Sequence, residues 1–252
     1  MGSVTWGADI AAVYDTTSAA MFDPAVLDPA VDLLAELAGG GRALELAVGT
    51  GRVALPLSAR GVDVAGIELS PHMAEQLRAK PGAEAVPVTV GDMTSTRVDG
   101  SFALVYVVWN SLSNLTAQEE QVAVFANAAA HLQPGGCFVV ELVVPQLPDV
   151  GGGELGRVFT LEPDHVGVDT LDDLVGQISS SHHWMRIGGR WVQRSMPFRY
   201  VWPAELDLMA RLAGLRLRER WAGWDRSPFT SESTDQVVVY ELPANERLTA
   251  GA

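Results

Sequence analysis

From residue 42 to residue 144 short apolar runs alternate with helical stretches, and few folds accommodate that rhythm. The runs Arg42–Ala47, Val62–Leu69, Val86–Val90, Phe102–Val108 and Cys137–Val144 have strand length, and they are apolar throughout rather than at alternate positions. A strand that is apolar on both sides must be covered on both faces, which points to a parallel sheet between two layers of helices. The helical stretches carry their own punctuation. Pro29–Leu37 has Ala30, Leu33, Leu34 and Leu37 at helical spacing and runs into Gly39-Gly40-Gly41, a strong stop. Ser70-Pro71 supplies an N-cap and a first-turn proline, and Thr116–Leu132 halts at Pro134-Gly135-Gly136.

Beyond residue 146 the rhythm breaks. Gly151-Gly152-Gly153 reads as a loop, and Gly188-Gly189 joins two long mixed segments, Leu174–Ile187 and Arg190–Val201, as in a hairpin. A helix over Pro203–Ala213 and strands over Leu215–Trp221 and Gln236–Leu242 then restore the α/β pattern. The expectation is one α/β domain over residues 1–252. It comprises a helical cap (1–40), a core (41–145), an antiparallel insertion (about 146–202), a closing helix with two strands (203–243) and a tail (244–252).

Composition removes several function classes. Lys and Arg number 17 against 31 Asp and Glu, so the net charge of −14 repels a phosphate backbone and argues against a nucleic-acid partner. A single cysteine, Cys137, forms neither an internal disulfide nor a cysteine zinc site. The first thirty residues hold Asp9, Asp15, Asp23 and Asp28 but no Lys or Arg, unlike a secretory leader. No apolar run reaches the ~18–20 residues that span a bilayer. A cytoplasmic protein without a membrane partner is expected. No cluster of side chains has metal-ligand spacing, so no metal is expected either.

In an open α/β sheet, ligands bind at the carboxyl ends of the strands. Four polar landmarks fall at four successive strand ends. The first is Glu45-Leu46-Ala47-Val48-Gly49-Thr50-Gly51, where Gly49 and Gly51 permit a tight turn and close backbone approach. Plain strand–helix turns also use glycine. Residues 49–54 match G-x-G-x-x-A, a dinucleotide fingerprint. Glu45, however, would repel a nearby pyrophosphate and could accept from a cationic amine. The second is Glu68, placed to accept from both hydroxyls of an unphosphorylated ribose, or else a surface carboxylate before a helix cap. The third is Asp92, a candidate for an exocyclic adenine amine or a simple turn former. The fourth is Trp109-Asn110-Ser111: Trp109 offers a flat face or packs in the core, and Asn110 can orient a substrate.

With these residues in this order the chain resembles the class I S-adenosyl-L-methionine-dependent methyltransferases of the small-molecule branch, which act on natural products and amino sugars. The resemblance is good over residues 10–144 and looser beyond. It implies an α/β fold with a Rossmann-like, seven-stranded, mostly parallel sheet and an antiparallel β insertion after the fifth strand. It also implies S-adenosyl-L-methionine as cofactor, S-adenosyl-L-homocysteine as product, and methyl transfer by direct displacement to an N or O atom of a small-molecule acceptor. The expected cofactor contacts are Tyr14, Glu45, Ala47, Gly49, Thr50, Gly51, Glu68, Leu69, Met73, Asp92, Met93 and Trp109. The chain departs from the family at Ala47, where many relatives have glycine, and at Ala103, where many are acidic.

The acceptor side carries no compact motif. His182 and His183 are the candidate general bases, and strand alternation lets only one of them face a given pocket. Either could equally be a packed or surface histidine. Asn110, Glu141, Arg199 and Tyr200 are the candidate acceptor contacts. The oligomeric expectation is a monomer or a homodimer. An NAD-dependent oxidoreductase is the main alternative, weakened because Lys80 is the only lysine. A non-catalytic protein that binds S-adenosyl-L-methionine is another.

Overall fold

A computed structural model describes residues 6–147 and 156–244. The strands in chain order are β1 (Ala43–Leu46), β2 (Val64–Glu68), β3 (Val88–Val90), β4 (Phe102–Val107), β5 (Leu132–Val143), β6 (Gly156–Glu162), β7 (His165–Asp173), β8 (Ile178–Ile187), β9 (Arg190–Arg199), β10 (Arg216–Trp221) and β11 (Asp235–Glu241). The α-helices are α1 (Ala8–Ala11), α2 (Tyr14–Thr17), α3 (Pro24–Ala38), α4 (Ala54–Ala59), α5 (Pro71–Arg78), α6 (Gln118–His131) and α7 (Pro203–Leu212).

Seven strands form one sheet in the order β10-β11-β5-β4-β1-β2-β3. Its pairs are parallel except where β11 runs against β5 and β10. The continuous apolar runs have a direct cause. Leu44 and Leu46 of β1 pack into a layer shared with Val124, Phe125 and Ala128 of α6. Ala43 of the same strand joins Leu27, Val31 and Leu34 of α3 on the other face. Both faces are covered, so neither tolerates polar alternation. Strand order reverses at β1, which pairs with both β2 and β4, and a ligand crevice opens at such a reversal.

Two sequence expectations shift. Helix α3 begins at Pro24 rather than Pro29, because the Asp23 side chain caps it by accepting from Ala25 N–H at 2.9 Å. The insertion is a four-stranded antiparallel sheet, β6-β7-β8-β9, rather than a single hairpin. Strands β6 and β7 were hidden because β6 is almost wholly exposed, so its residues show no buried face to read. The Gly151–Gly153 loop lies outside the described residues. No helix among the described residues is long and apolar enough to cross a membrane.

Candidate active site

A cavity of about 740 Å³ lies at the carboxyl ends of β1 to β4, between the large sheet and the insertion. Its floor is the turn after β1. Ala47 adopts φ +57°, Gly49 φ +57° and Gly51 φ +82°. Gly51 must be glycine, because a Cβ there would meet Leu77 and Leu55 side chains at 2.9 and 3.0 Å. Glu68, at the end of β2, locks this turn. Its Oε2 accepts from Gly49 N–H and its Oε1 from Ser70 N–H, both at 2.8 Å. Burial pushes its carboxyl pKa up, and the Ser70 and Gly49 N–H groups oppose that shift.

Asp92 and Met93 line the next part of the wall, where Asp92 Oδ1 accepts from Thr94 N–H at 2.8 Å. After β4, Trp109 (φ +50°) and Asn110 (φ +58°) take the left-handed conformation, which is strained for side-chain-bearing residues. The strain is held by Glu141, whose Oε2 accepts from Trp109 N–H at 2.7 Å, and by Asn110 Oδ1, which accepts from Val143 N–H at 2.7 Å.

The N-terminal helices close one side. Trp6, Tyr14 and Trp109 form an edge-to-face chain with ring centroids 5.7 and 6.0 Å apart. Burial pushes the Tyr14 hydroxyl up to about 12, so it remains a neutral donor. The cap is tied down by Asp15, which accepts from Thr50 Oγ1 at 2.6 Å and pairs with Lys80. Lys80 also donates to the Thr50 carbonyl at 2.7 Å. The chain's single lysine is thus a tether.

The opposite wall is one face of the insertion. Strand alternation brings His165 and Asp169 of β7, Ser181, His183 and Met185 of β8, and Arg194 and Met196 of β9 to the cavity. His165 Nε2 and His183 Nδ1 lie 2.9 Å apart with nearly parallel rings, and Ser181 Oγ is 3.2 Å from His183 Nε2. Burial lowers the His183 pKa, with the His165 charge acting in the same sense. Among the described residues, Asp169 Oδ1 is buried without a hydrogen-bond partner. Burial raises the pKa of that carboxyl. Arg194 reaches toward Asp9 of the cap, 3.9 Å away.

Ala47, Gly49, Glu68, Leu69, Met73, Asp92, Met93, Trp109, Asn110, Tyr14 and His183 therefore share one cavity. Several other expected residues do not line it. Glu45 lies beneath the turn, 3% exposed, where Tyr106 Oη donates to its Oε2 at 3.0 Å and burial raises its pKa to about 8. Thr50 turns toward the cap and Gly51 into the core. His182 occupies the other face of β8, bonded to Ser195 Oγ at 2.7 Å and Thr170 Oγ1 at 3.0 Å. Glu141 is consumed by Trp109 and by Trp224 Nε1 at 2.7 Å. Arg199 is buried in an ion pair with Glu205 at 2.6 Å. Tyr200 borders a neighbouring cavity instead. Sequence reading missed His165 and Asp169. Both lie on β7, a strand the sequence pattern did not announce, so nothing local said that they share a face or that this face meets a ligand. Among the described residues no cluster of three or more His, Cys, Asp or Glu can hold a metal.

Comparison with known proteins gives the site its class. A methyltransferase-domain family matches residues 43–136. The solved CcbJ methyltransferase of Streptomyces caelestis is 35% identical, covers 93% of this chain and 96% of its own, and superposes with a TM-score of 0.82. The cypemycin N-terminal methyltransferase of a Streptomyces species is 28% identical over 91% of this chain and 97% of its own. CalS10, an amino pentose methyltransferase of Micromonospora echinaspora solved with S-adenosylmethionine bound, shares the fold at a TM-score of 0.69, with 21% identity over 96% of this chain and 99% of its own. The chain belongs to the S-adenosyl-L-methionine-dependent methyltransferases. It is an enzyme of the small-molecule branch and uses S-adenosyl-L-methionine as cofactor, which sets aside the NAD-dependent and non-catalytic alternatives.

Proposed function

We propose that the enzyme methylates an amine nitrogen of a small molecule by direct displacement. The observation that carries this reading is the His165–His183 pair facing the same cavity as Glu68 and the glycine turn. Bound S-adenosyl-L-methionine supplies a methyl group on a sulfonium, ready for in-line displacement. The residues around the cavity fit that cofactor. Each oxygen of Glu68 accepts one of the two backbone N–H bonds and keeps lone-pair capacity for a ribose hydroxyl. Asp92 and Met93 flank the place for the adenine. Ala47, Gly49, Leu69, Met73, Tyr14 and Trp109 enclose the remainder.

An amine reaches the enzyme as an ammonium and must lose one proton before its lone pair can attack. His183, kept neutral by burial, takes that proton. When His183 Nδ1–H donates to His165 Nε2, His183 Nε2 is left as the base. The aromatic cap and the insertion exclude water, and Asn110 orients the acceptor. One relative supports nitrogen, being named an N-terminal methyltransferase. The net charge of −14 fits a cytoplasmic enzyme acting on neither nucleic acid nor membrane, and the enzyme is read as a monomer or homodimer.

The test uses S-adenosyl-L-methionine labelled in the methyl group with paired primary amines and alcohols, for wild type and His183→Ala. Label is expected on the amines alone, with His183→Ala slower by about 100-fold. Label on the alcohols instead would overturn the nitrogen assignment.

A further inference from the structure

A second cavity of about 350 Å³ adjoins the first, and Val143, Phe159, Asp169 and Phe198 line both. One sheet face runs continuously through the two. Cross-strand pairing places Gly167, His183 and Arg194 in one row. Asp169, Ser181 and Met196 form the next, and Leu171, Ser179 and Phe198 the one after. The first of these rows faces the methyl-donor cavity, the last faces the second cavity, and Asp169 stands at the neck. Gly167 leaves room for Phe159, because a Cβ there would lie 2.3 Å from the ring. The second cavity is otherwise walled mainly by apolar side chains, among them Val144, Leu147, Leu171 and Tyr200, with Arg157 and Asp235 also in its lining.

A buried carboxylate oxygen without a partner is costly and favours a cationic donor. Resting on the amine reading above, we infer that the acceptor is an elongated amine. Its ammonium docks at Asp169 in the neck and its apolar arm fills the second cavity. Asp169 thus selects the charge and the second cavity selects the length. The proton leaves the docked ammonium for His183, and the freed lone pair faces the methyl-donor cavity.

Calorimetric titration of the S-adenosyl-L-homocysteine complex with n-butylamine, 4-phenylbutylamine and 4-phenylbutan-1-ol tests this. The phenyl arm should tighten binding by about tenfold or more through the apolar area it buries. Leu171→Trp fills the second cavity and should abolish that gain while leaving n-butylamine affinity within about twofold. Thr234→Trp, at the exposed rim, should do the same without touching the sheet interior. Asp169→Asn should erase the preference of amine over alcohol. A phenyl gain that survives both tryptophan variants overturns the second subsite. An amine preference that survives Asp169→Asn overturns the docking at the neck. If either happens while amines still accept labelled methyl groups, the nitrogen reading stands and only this extension falls. If wild type binds S-adenosyl-L-homocysteine but neither binds nor methylates either amine, the nitrogen reading falls first and this inference with it.

Discussion

The two walls of the cavity are built on different principles. The wall proposed to hold the cofactor is backbone: a turn with three left-handed residues, locked by N–H bonds to Glu68, and carboxylates at consecutive strand ends. The wall proposed for the acceptor is side chains alone, drawn mainly from one face of the four-stranded insertion. A backbone cradle suits a ligand that never changes. A sheet face can be resurfaced residue by residue without disturbing its hydrogen-bond ladder, which suits a variable acceptor.

Substitutions on either wall should separate the two. Glu68→Ala removes a lock and a proposed ligand together and should weaken S-adenosyl-L-homocysteine binding by roughly 100- to 1000-fold in calorimetry. His183→Ala should leave that affinity within about twofold while turnover collapses. Equal losses of cofactor affinity in both would erase the distinction.

The next effect in size concerns Glu45. Its native pKa of about 8 lies above its ordinary 4.5, so the folded protein holds this proton longer than the unfolded chain. Its contribution to stability is complete below pH ~4.5 and is lost as pH rises toward ~8. Glu45→Gln should flatten that decline by about 2–3 kcal/mol in denaturant titrations at pH 5 and 8.

Ala47→Gly should raise stability by about 1 kcal/mol, seen as a melting point higher by roughly 2–4 °C, because glycine accepts φ +57° without a Cβ penalty. The smallest effect is His165→Gln. A charged His165 lowers the His183 pKa, so its removal should move the acid limb of the pH–rate profile upward, toward the usual histidine value. A downward shift would show that His165 does not act on His183 through its charge.

Legibility follows the same division. The glycine turn, Glu68, Asp92 and Trp109 announced themselves because each sits within a few residues of the strand that positions it. Glu45 and Glu141 were read as contacts from that same proximity. Only packing revealed that Tyr106 takes up one and Trp224 the other. Alternation showed that His182 and His183 part company, yet it could not say which one turns inward.

The sequence by itself determined the layered sheet, its helix stops and the place of the glycine turn after β1. These follow from local periodicity, capping and backbone freedom, which act over a few residues. The tertiary structure alone decided that His165, Asp169 and His183 meet above the turn, and that Arg199 is a buried strut rather than an acceptor contact. Those outcomes depend on which face of the insertion folds back over the sheet. That choice is set by burial summed across strands distant in sequence, and no short window of residues records it.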